Sequence, residues 1–316
     1  MNIKLICAAA LLACVCNALA QPYPSRPVRF ITVGADDAMP RLLAQELSAT
    51  LGVQVYIEEH AGASGTIGAE VAARAPADGY NFMVATSTHM VTPHFYKLNY
   101  DILRDFEPVS MLASSPFVML AHPSLPVAAT PDLVRLARAN PGKLLYGATA
   151  TGSTTMLSFE LFKAAAGINV VHVPYKSVGA ALIDTVAGQV PLTMSVAPNA
   201  LPQIRAGRVR ALAVTTPKRS AVLPEVPAFS EFGYRVALPA WFGLVAPAKT
   251  PPAAIARMNA EVVKALRKPA IRERVLSFAL EPGENAPEEF AAFMKADMGR
   301  WTEAVKAAKL DSTLQR

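Results

Sequence analysis

The run Leu144-Leu145-Tyr146-Gly147-Ala148-Thr149-Ala150-Thr151-Gly152-Ser153-Thr154-Thr155-Met156-Leu157-Ser158-Phe159-Glu160-Leu161-Phe162 puts a strand, a loop and a helix in immediate succession. Leu144–Tyr146 is a short apolar run that reads as the end of a buried strand. Gly147–Gly152 is a small-residue loop whose glycines let the backbone turn sharply or approach a ligand closely. Ser153, Thr154 and Thr155 then offer N-caps to an apolar-periodic helix carrying Leu157, Leu161 and Phe162. A strand, loop and helix start in this order present free backbone N–H groups and a positive dipole end to an anion. Hydroxyls beside those N–H groups suit a small oxygen-rich ligand such as a carboxylate. An ordinary capped helix after a turn accounts for the same residues.

The same order recurs outward from this run. Towards the N-terminus, Val28–Val33 reads as a strand, Gly34-Ala35-Asp36-Asp37-Ala38 as a loop, and Pro40–Leu51 as a helix with Leu42, Leu43, Leu47 and Leu51 at helical spacing. Val53–Ile57 is the next strand, followed by the glycine-rich loop His60–Gly68 and a helix from about Thr66 to Ala73. Tyr80–Ala85 is a strand ending in the polar loop Thr86-Ser87-Thr88-His89. Phe106–Ala113 and Phe117–Ala121 are closely spaced strands, and Thr130-Pro131-Asp132 opens a helix with Thr as cap and Pro in the first turn. Towards the C-terminus, strands at Asn169–Val173, Leu192–Val196 and Val209–Thr215 continue a second α/β half, with a helix near Ala180–Ala187. Ala240–Val245 is strand-like, and the chain after Pro251-Pro252 is helical. One face there carries Ile255, Met258, Val262 and Leu266, another Phe290, Phe293, Met294, Met298, Trp301 and Val305, both expected to pack in the core. The rhythm predicts parallel α/β sheets with helices on both faces, and ligands in such sheets gather at the carboxyl ends of the strands. Two α/β halves and a helical tail predict two lobes, with Phe117–Ala121 crossing out, Trp241–Ala246 crossing back and a ligand cleft between.

The chain has 316 residues, 52% hydrophobic and 17% charged, which suits a well-buried fold of two domains and argues against disorder. Its net charge of +6 is scattered, with no basic stripe interleaved with aromatics, so no nucleic-acid partner is expected. Residues 1–20 read as a signal peptide: Lys4, the apolar run Leu5–Cys16 and the cleavage site Ala18-Leu19-Ala20. All three cysteines (Cys7, Cys14, Cys16) fall inside it, so the mature chain has no thiol or disulfide chemistry. Leu11-Leu12-Ala13-Cys14 offers a lipid-anchored alternative.

A reacting constellation is missing. Gly62-Ala63-Ser64-Gly65 has the wrong spacing for a nucleophile elbow, and no dinucleotide or phosphate-loop motif occurs. The five histidines (His60, His89, His94, His122, His172) show no zinc spacing, and Asp36-Asp37 is a weak carboxylate pair that serves equally well as a loop cap. Neither metal nor cofactor is expected. An exported hydrolase using His89 or the Asp36-Asp37 pair stands as the competing class.

Several short stretches, in order along the mature chain, then carry a resemblance. They are Ala77-Asp78-Gly79-Tyr80, Asp105-Phe106-Glu107-Pro108-Val109, Pro141-Gly142-Lys143-Leu144 and His172-Val173-Pro174-Tyr175-Lys176. Leu182-Ile183-Asp184-x3-Gly188-Gln189-Val190, Arg210-Ala211-Leu212-Ala213-Val214-Thr215 and Trp241-Phe242-Gly243-Leu244 complete the set. The chain resembles the solute receptors of tripartite tricarboxylate transporters, the Bug family. The resemblance implies a two-lobed periplasmic binding protein of the Venus-flytrap, type II-like kind, with two parallel-rich sheets, flanking helices and a helical C-terminus. It implies a monomer that closes over a small carboxylate-type or amino-acid-like ligand and hands it to the membrane components of the transporter. A sensor of the same fold is the alternative. Lobe 1 is then expected over 21–120 plus 246–316 and lobe 2 over 121–245.

By the same resemblance, Thr149, Thr151, Gly152, Ser153 and Thr154 fall on a second-lobe ligand loop, and Ser87 and Thr88 on a first-lobe one. Ala35, Asp36 and Asp37 fall on the first strand-to-helix loop, and Tyr175 and Ser195 join the candidate ligand-binding set. The chain departs from the family pattern in that first loop, which is shorter and carries two acids. It departs again at Ser195 and Pro191, where the family often has Asp. Both departures point to a ligand unlike the usual dicarboxylate: cationic, zwitterionic or less charged.

Overall fold

The computed structural model describes residues 23–33, 38–150 and 152–310. The expectations for the export segment, for Gly34, Ala35, Asp36 and Asp37, and for Thr151 lie outside the described residues. In chain order the strands are β1 (Val28–Thr32), β2 (Val55–Glu59), β3 (Asn81–Thr86), β4 (Phe106–Ser115), β5 (Phe117–Ala121), β6 (Leu145–Thr149), β7 (Val171–Tyr175), β8 (Leu192–Val196), β9 (Arg210–Val214), β10 (Ala240–Pro247) and β11 (Glu281–Pro282). The helices are α1 (Ala38–Leu51), α2 (Thr66–Ala73), α3 (Thr88–Val91), α4 (Thr130–Ala139), α5 (Thr154–Ala166), α6 (Val178–Val186), α7 (Ala197–Arg205), α8 (Pro252–Arg267), α9 (Pro269–Ser277) and α10 (Pro287–Ala307).

The strands make a six-stranded sheet in the order β11-β4-β10-β3-β1-β2 and a five-stranded sheet in the order β7-β6-β8-β5-β9. Strand, loop and helix alternate as the sequence rhythm requires, and the strands so connected pair in parallel: β1 with β2 and β3, β6 with β7 and β8. The other pairings are antiparallel: β10 against β3 and β4, β11 against β4, and β5 against β8 and β9. Both sheets are therefore mixed rather than parallel-rich. The cause is the crossing itself: β5 and β10 enter the middle of a sheet directly from the other lobe, without a crossover helix to set them parallel.

The crossings also sit differently from expectation. Phe117–Ala121 pairs along its whole length inside the five-stranded sheet, and Ala240–Pro247 inside the six-stranded one. A division after residue 245 would cut β10; sheet membership puts the changes of lobe at Pro116 and at Leu238-Pro239. Proline has no N–H to donate, so the ladder cannot run continuously through either point. Thr215 joins the two passing chains there. Its backbone N–H donates to the Phe117 carbonyl at 3.0 Å, and its hydroxyl accepts from the Phe117 N–H at 3.1 Å. The same hydroxyl donates to the Leu238 carbonyl at 2.9 Å, and the Thr215 carbonyl accepts from the Leu238 N–H at 3.1 Å.

The C-terminal helix α10 packs on β4 and α3 of the first lobe and on α5 of the second. One apolar cluster consequently runs through both lobes, joining Phe117, Phe159 and Phe162 to Trp241, Phe290, Met294 and Trp301. Gly243 of β10 lies directly under the Phe290 ring, where a β-carbon would fall 2.1 Å from Phe290 Cζ. Phe290 is fully buried and has no room to give. Gly243→Ala is therefore expected to cost about 1–3 kcal/mol as overpacking; urea unfolding that finds no loss would contradict this packing.

Candidate functional site

A cavity of about 520 Å³ opens between the two sheets. The first lobe contributes Val33 after β1, the loop residues Ala61, Gly62, Ser64 and Gly65 after β2, and Thr86, Ser87 and Thr88 at the end of β3. The second contributes Thr154 after β6, Val178 after β7, and Val196 and Pro198 around the end of β8. Ser115, Phe117, Ala240, Trp241 and Phe242 line it from the crossings, and Leu280 from the segment before β11. These residues meet because the parallel strands of both sheets point their carboxyl ends at one space, where open α/β sheets hold their ligands. Among the described residues the lining includes no Asp, Glu, Lys, Arg or His.

The starts of α2, α5, α6 and α7 all border this cavity, so positive helix-dipole ends converge on it from both lobes. Ser153 caps α5 by accepting the Met156 N–H at 3.3 Å, and Ser177 caps α6 by accepting the Ala180 N–H at 3.1 Å. Gly65 and Val196 precede α2 and α7 with no side-chain cap. The hydroxyls of Ser87, Thr88 and Thr154 have no hydrogen-bond partner among the described residues, whereas the Ser115 hydroxyl donates to the Ala279 carbonyl at 3.2 Å. Unspent hydroxyls beside helix starts of both lobes can bind an oxygen anion without any cationic side chain.

The wall after β2 is held in an uncommon conformation. Gly62, Ala63, Ser64 and Gly65 have φ of 127°, 45°, 57° and 87°, four consecutive residues of positive φ, of which Ala63 and Ser64 are not glycine. Left-handed backbone outside glycine is costly and persists where surrounding structure dictates it. His89 is the group behind this loop. It is fully buried, its Nδ1 accepts the Thr86 N–H at 3.0 Å, and its Nε2 faces the Gly65 backbone without a good hydrogen-bond partner. Burial pushes the imidazole down to about 4, partly offset by the Thr86 and Gly65 backbone. The Thr86 hydroxyl also lies 3.2 Å from Nδ1. So weak a base removes a hydroxyl proton poorly, and Nε2 has no carboxylate partner among the described residues.

The innermost wall is anchored from behind. Trp241 is 1% exposed, its ring edge-on to Phe290 and Phe293 with centroids 5.6 and 5.8 Å away. Its indole N–H donates to Asp297 Oδ2 at 2.7 Å, and the Trp301 indole N–H reaches the same oxygen at 3.1 Å. Arg300 donates to Oδ1 at 2.9 and 3.2 Å. Asp297 is fully buried, and desolvation raises its pKa against the pull of these donors.

Of the residues singled out in the sequence, Ser87, Thr88 and Thr154 line the cavity. The others are placed as follows. Ser153 serves as the α5 cap, and the Thr149 hydroxyl pairs with that of Thr155 at 2.9 Å. Gly152 packs against the other lobe, a β-carbon there falling 3.0 Å from the Phe95 ring. Tyr175 donates its hydroxyl to Asp184 at 2.9 Å and lies under Gly147. Ser195 is fully buried, 3.5 Å from the Val196 carbonyl. Ala35, Asp36, Asp37 and Thr151 lie outside the described residues. Unanticipated lining residues include Val178 and Val196, which the strand-end rule locates once it is applied to β7 and β8 as it was to β6.

Comparison with known proteins gives consistent matches along the chain. The model of the tripartite tricarboxylate transporter family receptor matches residues 39–310. Protein BugT of Bordetella pertussis is 33% identical over 296 residues, which is 91% of this chain and 90% of BugT. Among solved structures, R. palustris Rpa4515 with adipate is similar at a TM-score of 0.79 and 34% identity, covering 91% of this chain and 98% of that one. MatC from Rhodopseudomonas palustris with bound malate is similar at a TM-score of 0.75 and 30% identity, covering 90% and 100%.

The buried imidazole gives this site a pH signature. An unfolded histidine titrates near 6.5, the folded His89 near 4. Between those values the unfolded chain binds more protons, so stability falls as pH drops through that window. The share due to His89 reaches roughly 3 kcal/mol at its acid end. His89→Asn keeps an acceptor for the Thr86 N–H and is expected to flatten the stability–pH profile by about that amount, read from urea unfolding at acid and neutral pH. An unchanged slope would contradict the buried neutral imidazole.

Proposed function

The chain belongs to the tripartite tricarboxylate transporter receptor family, a family of solute-binding receptors, and on that premise we propose that it captures a small carboxylate between its lobes and delivers it to the membrane components of such a transporter. The observation that carries the reading is the set of unspent hydroxyls, Ser87 and Thr88 on one lobe and Thr154 on the other, facing one cavity at helix starts. A carboxylate accepts hydrogen bonds only, and donors from both lobes hold it best when the lobes are close. Ligand contacts made by both lobes therefore favour the closed arrangement, which the membrane partner would read. No bond is made or broken. The adipate and malate in the similar structures are carboxylates, in keeping with this chemistry.

Residues 1–20 would direct export and be removed after Ala20, leaving a free periplasmic protein; a lipid on Cys14 is the alternative. The site reading is tested by calorimetry on protein that has been unfolded and refolded to strip retained ligand. Adipate, malate, citrate and hexanoate serve as probes. At least one is expected to bind at one site per chain. Ser87→Ala and Thr154→Val should each weaken that acid about 10- to 100-fold, the size of a lost hydrogen bond to a charged group. No heat from any acid, or two variants that bind as the parent does, would refute the site.

A further inference from the structure

We infer that the preferred ligand has a single carboxylate end and an extended apolar body, alkyl or aryl; this rests on the receptor reading above. The half-exposed apolar side chains of the cavity wall are Val33, Val178, Val196, Pro198, Ala240 and Phe242, drawn from both lobes and from a crossing, beside the half-exposed Thr86, Thr88 and Thr154. Behind them Phe117 and Leu280 are buried and also apolar. Such a wall gains from covering methylene or ring carbons and gives nothing to a hydroxyl.

The polar capacity of the cavity is small. The Ser115 hydroxyl is spent on the Ala279 carbonyl, and the Thr86 hydroxyl lies against His89. Ser87, Thr88 and Thr154 remain, with Ser64 on the loop after β2 lying 3.5 Å from the Tyr96 hydroxyl, together with the converging helix starts. These suffice for one carboxylate held from both sides. A second or third carboxylate would stand against this apolar wall with no cation among the described lining residues, and a charge taken out of water without a partner is expensive. The ring hydroxyls of a sugar acid or the hydroxyl of a hydroxy acid would face valine and phenylalanine, losing water without replacement. The cavity of about 520 Å³ also has space beyond a four-carbon acid, and that space is apolar.

The test compares acids by calorimetry on refolded protein: hexanoate and phenylacetate against acetate, malate and citrate. Hexanoate or phenylacetate is expected to bind at least about tenfold tighter than each of the others, since each buried methylene counts substantially. Val178→Thr and Val196→Thr keep shape while adding a hydroxyl, and each is expected to weaken hexanoate more than it weakens malate. Malate or citrate binding tighter than hexanoate and phenylacetate would overturn the ligand class and leave the receptor reading standing. No binding by any acid would overturn both. Valine variants that lower hexanoate and malate affinity equally would overturn the apolar contact.

Discussion

One carboxylate inside the protein ties the crossing strands beside the cavity to the C-terminal helix. Asp297 has been taken out of water and given to three side-chain donors: two indole N–H groups and the Arg300 guanidinium. A buried charge is tolerated only when its lone pairs are met, and removing one partner typically costs several kcal/mol. Both tryptophans of the chain are thus tied to one point on α10. Trp241 belongs to β10, the central strand of the six-stranded sheet beside both β3 and β4. Trp301 stands edge-on to Phe117, the first residue of the strand that opens the second sheet, with ring centroids 6.3 Å apart. The helix is therefore fixed to the crossing region rather than to one lobe.

That placement constrains how the lobes can move. The backbone passes between sheets beside two prolines, where the ladders are interrupted and Thr215 supplies the bonds that hold the passing chains together. Motion about these points leaves both sheets intact. The helix α10 packs across the joint on elements of both lobes, and the ligand cavity opens between the sheets. There, Gly152 of one lobe meets Phe95 of the other, and the helix starts of both face each other. Neutral hydroxyls and dipole ends attract an anion without the desolvation cost of burying a cationic side chain.

The strand–loop–helix order was legible because it is local: capping residues, small-residue loops and helical spacing repeat within each unit, and the family stretches run through it. The sheets' mixed pairing was not, since β5 and β10 owe their direction to long-range placement that leaves no periodic mark. The same cause misplaced the crossings, where an apolar run such as Trp241–Ala246 reads alike as connection or central strand. In the site, Ser87, Thr88 and Thr154 were readable as hydroxyls at strand ends. Tyr175 and Ser195 entered through family position, while their hydroxyls are turned to Asp184 and to a strand carbonyl. Asp297 lies within an otherwise apolar helical stripe one turn before Trp301, and nothing nearby in sequence announces the Trp241 indole that also satisfies it.

The central claim is that an acid is held between the lobes by groups of both. A crystal structure of the protein grown with saturating hexanoate tests it most directly. The account predicts the carboxylate within hydrogen-bond distance of Thr154 on one side and of Ser87 or Thr88 on the other, with its chain along Val178 and Val196. Hexanoate bound to one lobe alone, or on an outer face with the cleft holding only water, would contradict it.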